Sequence, residues 1–139
     1  MNVVLSTYAD QCDAICSVRV AVFVEEQAVP LENEMDDRDA ACVHALAFDE
    51  ARPVATGRLD CEQGGRIGRV AMLADYRGRG IGKEVMQALE AEAKRRGFQQ
   101  TWLHAQVAVI PFYRQLGYCE EGSTFTEENI LHQTMRKCI

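Results

Sequence analysis

The sequence predicts an α/β fold of the α+β type, a mixed and mostly antiparallel sheet of about seven strands with helices on both faces. Three observations carry this. The 139-residue chain is 47% hydrophobic, enough for an ordinary core, and no repeat, low-complexity tract or Pro/Ser-rich linker divides it, which suits one domain over residues 1–139. Its apolar period changes in the order β-α, an antiparallel meander, then β-α-β-α-β-β. The strand, helix and strand in the middle demand one parallel crossover within the antiparallel sheet.

Taken in order, VVLSTY (3–8) alternates as a first strand, and Asp10 is placed to cap a helix running to about Gln27, with Ile15, Val18, Val22 and Phe23 on one face. Pro30 ends that helix and an acidic loop follows. CVHALAFDE (42–50) and PVATGRLDCE (53–62) read as paired strands, and Gly64-Gly65 turns the chain into RIGRVAML (66–73). From Ile81 to Arg96 the period is helical, with Gly97 as its stop. TWLHAQV (101–107) is the strand it feeds, a short helix spans Pro111 to Leu116, and YCEEG and ILHQTMRKC close the chain as strands. The last of these is a candidate for pairing across a dimer, so a monomer or a homodimer is expected.

The formal net charge of −6 argues against a nucleic-acid partner, whose affinity comes from neutralised phosphates. No apolar segment approaches the ~20 residues that span a bilayer, and the six cysteines lack CxxC pairing, so a cytoplasmic protein with reduced thiols, no membrane partner and no metal is expected. The distribution of charge says more. Glu25 to Asp39 holds seven acids against Arg38 alone, whereas Arg66 to Lys83 holds five bases against Asp75 alone. Two local fields of opposite sign imply two ligands.

RVAMLADYRGRGIGKEV (69–85) places three glycines in five positions between a strand and a helix. A helix beginning after Gly80 turns its free N–H groups and positive dipole end toward the turn, glycines let an anion approach them, and Arg77 and Arg79 add forked donors. The turn reads as a pyrophosphate cradle. It is not a P-loop, because Arg77 stands five residues before Gly82 where that motif needs glycine, and Glu84 follows Lys83 where it needs a hydroxyl. Nor is it a dinucleotide fingerprint, since Gly78-x-Gly80 leads to Lys83 and Gly80-x-Gly82 leads to Val85. Arg-x-x-Gly-x-Gly remains, met by Arg77, Gly80 and Gly82.

This stretch through KRRG, followed by TWLHAQVAVIPFYRQLGY, resembles the acetyl-CoA-binding motifs of the GNAT superfamily of N-acetyltransferases, and FVEEQAVPLENEMDDRDAACVHA resembles its ElaA-like branch. The resemblance implies a sheet splayed between its fourth and fifth strands, acetyl-CoA as cosubstrate, and transfer of the acetyl group to a primary amine by direct attack through a tetrahedral intermediate. The pyrophosphate role would fall to Arg77, Gly78, Arg79, Gly80, Ile81, Gly82 and Lys83, and pairing with the pantetheine arm to Val70, Ala71 and Met72 on a bulged strand. Gln106 stands where the family often has Asn. The resemblance makes Tyr113 the general acid that protonates the leaving thiolate. A backbone N–H near Met72 is suited to the oxyanion.

An aliphatic ammonium, pKa ~10.4, must lose a proton before it attacks, so a base is needed. Candidates are Glu26, His44 and His104, the first two also as acceptor-binding residues. The acidic loop from Glu32 to Asp39, on the acceptor side if the family layout holds, leads to the expectation of a positively charged small-molecule amine. A non-catalytic coenzyme A sensor or interaction module is the alternative to an enzyme.

Overall fold

The computed structural model describes all 139 residues. In chain order the elements are β1 (Asn2–Ser6), α1 (Tyr8–Arg19), α2 (Leu31–Glu34), β2 (Val43–Asp49), β3 (Arg52–Asp60), β4 (Arg66–Met72), α3 (Ile81–Arg95), β5 (Gln100–Gln106), α4 (Ile110–Gln115), β6 (Cys119–Glu127) and β7 (Ile130–Cys138). The seven strands form one sheet in the order β1-β2-β3-β4-β5-β7-β6. Every pair is antiparallel except β4 and β5.

That parallel pair makes the sheet's defining feature. β4 and β5 share one register position, Arg66 opposite Trp102, and then part. Beyond that point the edge of β4 facing β5 has no strand partner. β4 also carries an extra residue against β3, where Thr56 pairs with Ala71 but Arg58 with Gly68. The bulge falls on Arg69, whose φ of 50° is left-handed, an uncommon state for a side chain of this size. The splay expected between the fourth and fifth strands is therefore present.

The first helix is shorter than expected and differently capped. Thr7, not Asp10, is the cap residue, its Oγ1 accepting from the Asp10 N–H at 3.2 Å. After Arg19 the helix widens to a π-helix over Val20–Glu26, a conformation that no period in VAVFVEE announces. The core lies between the sheet and α3, where Val85, Met86 and Leu89 are fully buried with Leu59, Ile67 and Met135. Gly57 on β3 admits this contact, since a Cβ there would sit 3.0 Å from Leu89 and 3.2 Å from Val85.

The last strand does not offer a dimer edge. β7 is enclosed between β5 and β6, so the free edges are β1 and β6. β6 is longer than the YCEEG stretch suggests, running on through GSTFTE as a mostly exposed edge strand. No helix is long and apolar enough to cross a membrane.

Candidate active site

The gap between β4 and β5 opens into a cavity of about 740 Å³. Its walls come from the π-helical segment, the stretch after it as far as Arg38, the end of β3 with Gln63, the length of β4, Arg77, the end of β5, Val109 and Tyr113, and the β6–β7 turn with the start of β7. Val70, Ala71, Met72, Arg77, Gln106 and Tyr113 all line it, as do Glu26 and His104.

The glycine turn follows Arg77 and adjoins the cavity through the contact of Gly82 with Met72, but its residues 78–83 are not part of the cavity wall. Gly78 and Gly80 have φ of 76° and 80°, left-handed values that glycine adopts without penalty, and a Cβ on either would meet nothing within 4 Å. Glu84 makes the first intrahelical bond of α3, to the Gly80 carbonyl, and no side chain caps the helix, so the N–H groups of Ile81, Gly82 and Lys83 lack acceptors. Gly82 serves packing instead: a Cβ there would sit 2.7 Å from the Met72 Cε and 3.1 Å from Phe112. Lys83 is exposed and without an ion pair, while the Arg79 guanidinium lies 5.0 Å from the Tyr76 ring centre.

Arg77 does not reach toward this turn. Its guanidinium forks onto Glu26 at 2.7 and 2.8 Å and also donates to the Met72 carbonyl at 2.9 and 3.1 Å. Glu26 is thereby disqualified as a ready base, because the Arg77 hydrogen bond holds its carboxyl below the usual range. What the pair does is tie the π-helical segment to the end of β4. Gln106 is likewise engaged, its amide donating to Gln27 at 2.9 Å.

Tyr113 is nearly buried, edge-on to Phe112 and Tyr118 with ring centres 5.0 and 5.9 Å away. Burial pushes its phenol well above the ordinary value, so the group is a protonated donor at neutral pH. The hydroxyl bonds to no protein group, yet no buried polar atom is left without a partner, which places it open to the cavity.

The histidines separate. His44 lies in β2 at 1% exposure, donates Nε2–H to the Asp39 carbonyl at 2.9 Å and is absent from the cavity wall, which corrects its expected acceptor role. His104 does line the cavity, its Nδ1 within 3.1 Å of Arg66 Nη2 and 3.0 Å of Glu127 Oε1. His132, not singled out by the sequence, lines it too. Its Nδ1–H donates to the Ile130 carbonyl at 2.7 Å, which fixes the tautomer and leaves the Nε2 lone pair free; by the same accounting of buried atoms, Nε2 is open to the cavity. The one available signal was register, which sets His132 opposite Gln106 on the same face of the sheet.

The acidic loop is not a free negative field. Buried Arg19 holds Glu34 and Asp39, the latter at 2.7 Å. Arg58 holds Asp36 at 2.7 Å and Asp39 at 2.9 Å, and Arg69 reaches Asp36 at 3.3 Å and the Glu34 carbonyl at 3.0 Å. Burial alone would raise the Asp36 carboxyl, but the Arg58 bonds prevail and hold it at about 2. These carboxylates are structural counter-charges, and the expectation that they attract a cationic acceptor loses its basis.

A splayed mixed sheet, a glycine turn at a helix N-terminus and a tyrosine facing the gap define a class of acyl-transfer enzymes. The chain belongs to the acetyltransferase (GNAT) family, whose domain profile matches residues 9–139. The uncharacterised N-acetyltransferase YjcF of Bacillus subtilis is 34% identical over 139 residues, covering 99% of each chain. Among solved structures, an acyl-CoA N-acyltransferase from Pseudomonas aeruginosa is 26% identical with a TM-score of 0.87, covering 99% of this chain and all of that one. Escherichia coli ElaA superposes with a TM-score of 0.89 at 24% identity over 99% of each chain, a likeness of fold.

Proposed function

We propose that the chain transfers an acetyl group from acetyl-CoA to a primary amine. The observation that carries this reading is that the unpaired edge of β4 and Tyr113 line one gap in the sheet, and that the unobstructed turn before α3 follows directly on Arg77 at the edge of that gap.

The residues present fit the cosubstrate. Main-chain N–H groups from Gly78 to Lys83 suit a diphosphate, with Arg79 and Lys83 as the uncommitted cations beside them. Val70, Ala71 and Met72 offer backbone groups to an amide-bearing arm, as a strand would, with Gln106 across the gap. Arg77 acts by holding Glu26 and the Met72 carbonyl, which orients the main chain around the N–H assigned to the oxyanion. No group of three metal-ligating side chains is present.

Proton flow follows from the two groups that face the cavity unpartnered. His132 Nε2 takes a proton from the incoming ammonium, the freed lone pair then bonds to the acyl carbon, and the nitrogen passes its second proton to solvent as the tetrahedral intermediate collapses and the C–S bond breaks. Tyr113 gives its proton to the departing sulfur and regains one from solvent. Loss of a positioned acid costs about 100-fold or more in such reactions. Tyr113→Phe therefore lowers turnover at least tenfold while acetyl-CoA affinity holds, read by single-turnover rates beside equilibrium titration. A cytoplasmic setting suits both the cosubstrate and the six unpaired cysteines.

Thiol release across a panel of primary amines tests the reading. Release that depends on the amine supports it; coenzyme A binding with no release from any amine would mark a binding module and overturn it.

A further inference from the structure

Five arginines line the cavity: Arg38, Arg58, Arg66, Arg69 and Arg77. Four of them are neutralised within the fold. Arg38 holds Asp60 and Glu62, Arg58 holds Asp36 and Asp39, Arg69 contacts Asp36 and Glu34, and Arg77 holds Glu26. Arg66 has only neutral partners. Its Nη2 donates to His104 Nδ1 at 3.1 Å and its Nη1 to Gln63 Oε1 at 3.4 Å, and its guanidinium lies 5.2 Å from the centre of the Trp102 ring. The nearby carboxylate of Glu127 lies 3.0 Å from the same imidazole nitrogen, which accepts from Arg66 in one tautomer and donates to Glu127 in the other, and Glu127 makes no ion pair with Arg66.

A guanidinium cannot give up its charge, and a half-buried one without a counter-ion is held against its electrostatic preference. The fold keeps it in place even so. Trp102 is anchored by its own bond from Nε1 to the Gln63 carbonyl at 2.8 Å, so the aromatic surface beneath Arg66 is fixed, and Gln63 and His104 hold the fork from two sides. Such a preset fork matches the paired oxygens of a carboxylate or phosphate. Arg66 also stands where β4 and β5 are still joined, opposite Trp102, so a group held there sits at the closed end of the gap that Tyr113 and His132 face.

We infer that the acceptor is an amine that also carries an oxyanion, carboxylate or phosphate, and that Arg66 binds that oxyanion. This rests on the proposed acetyl transfer and specifies its substrate class. The acceptor's ammonium faces His132, while its anion supplies the counter-charge that Arg66 lacks.

Thiol release from acetyl-CoA is measured with paired acceptors: α- and ω-amino acids beside their amides, and O-phosphoethanolamine beside ethanolamine. The expected result is that one anionic set exceeds its neutral partners at least tenfold in kcat/KM, which also tells carboxylate from phosphate. Arg66→Gln removes that preference by raising KM for the anionic acceptor at least tenfold, with the neutral partner and acetyl-CoA KM changed less than twofold. Arg66→Lys, which keeps charge but loses the fork, recovers part of it. Release without discrimination, or equal loss on both acceptors in Arg66→Gln, overturns the inference and leaves acetyl transfer standing. Absence of release with every amine overturns both.

Discussion

At the scale of single residues, the base is the decision with the largest chemical consequence. Three groups were candidates from sequence, and the environment of each decides against it or leaves it secondary. Arg77 holds Glu26 ionised, the β2 interior closes over His44, and His104 is divided between Arg66 and Glu127. His132 has a fixed tautomer and an open Nε2. His132→Asn keeps a donor for the Ile130 carbonyl and removes the base, so kcat/KM falls about 100-fold. His104 from β5 and Glu127 and Glu128 at the β6–β7 turn line the same cavity, so His104→Asn is the companion variant and keeps kcat/KM within about threefold of the parent. An unchanged kcat/KM in His132→Asn would return the role to solvent. The glycine turn could be read from local spacing, and Tyr113 was named through the resemblance of FYRQLGY to the family's motif. Sequence could not name His132 or isolate Arg66, because their standing depends on strands that meet only in the folded sheet, and on which arginines find carboxylates.

At the scale of elements, the acidic loop shows how composition misleads. Seven acids in fifteen residues read as a field, but Arg19, Arg58 and Arg69 arrive from α1, β3 and β4 to consume Glu34, Asp36 and Asp39. Arg19 occupies the inward face of α1 at 1% exposure, a position that periodicity assigns to an apolar residue. The resulting network makes stability depend on pH in two steps. Burial pushes the imidazoles of His44 and His104 down, so the unfolded chain takes up protons first as pH falls below ~6.5, and stability, full above that value, begins to drop there. The Arg38 bonds hold Asp60, and the Arg58 bonds Asp36, at about 2, so their contribution is complete above the ordinary carboxylate range and is lost below ~4. Calorimetric melting should give a plateau above neutrality, a first decline below ~6.5 that His44→Gln reduces, and a steeper one below ~4. A midpoint unchanged between pH 7 and 5 would contradict the first step. The π-helical turn and the long polar edge strand β6 escaped sequence reading for related reasons: the first has no distinctive period, and the second buries neither face.

At the scale of the molecule, the sheet is divided by function. β1 to β4 and α3 form a packed half with one bulged, half-unpaired edge, and β5 to β7 form the other, joined to it by a single register position, by the shared core in which Leu103 and Met135 are buried with α3, and by side-chain ties such as Gln27 with Gln106 and Asn33 with Glu128. The order of elements along the chain and the parallel crossover were legible because motif, turn and helix follow one another without interruption, the place of the parting came with the family resemblance, and the insertion of β7 between β5 and β6 was not read. The contents of the cavity were not legible either, since segments scattered from Val22 to His132 wall it. The central claim is that this parting, with the bare turn at its mouth, receives acetyl-CoA. Isothermal titration calorimetry with coenzyme A tests it directly: one site per chain is expected, weakened at least tenfold in Gly80→Val, whose side chain would stand at the left-handed position beside the free N–H groups. No heat with the folded wild-type protein, or equal binding by a folded Gly80→Val, would contradict it.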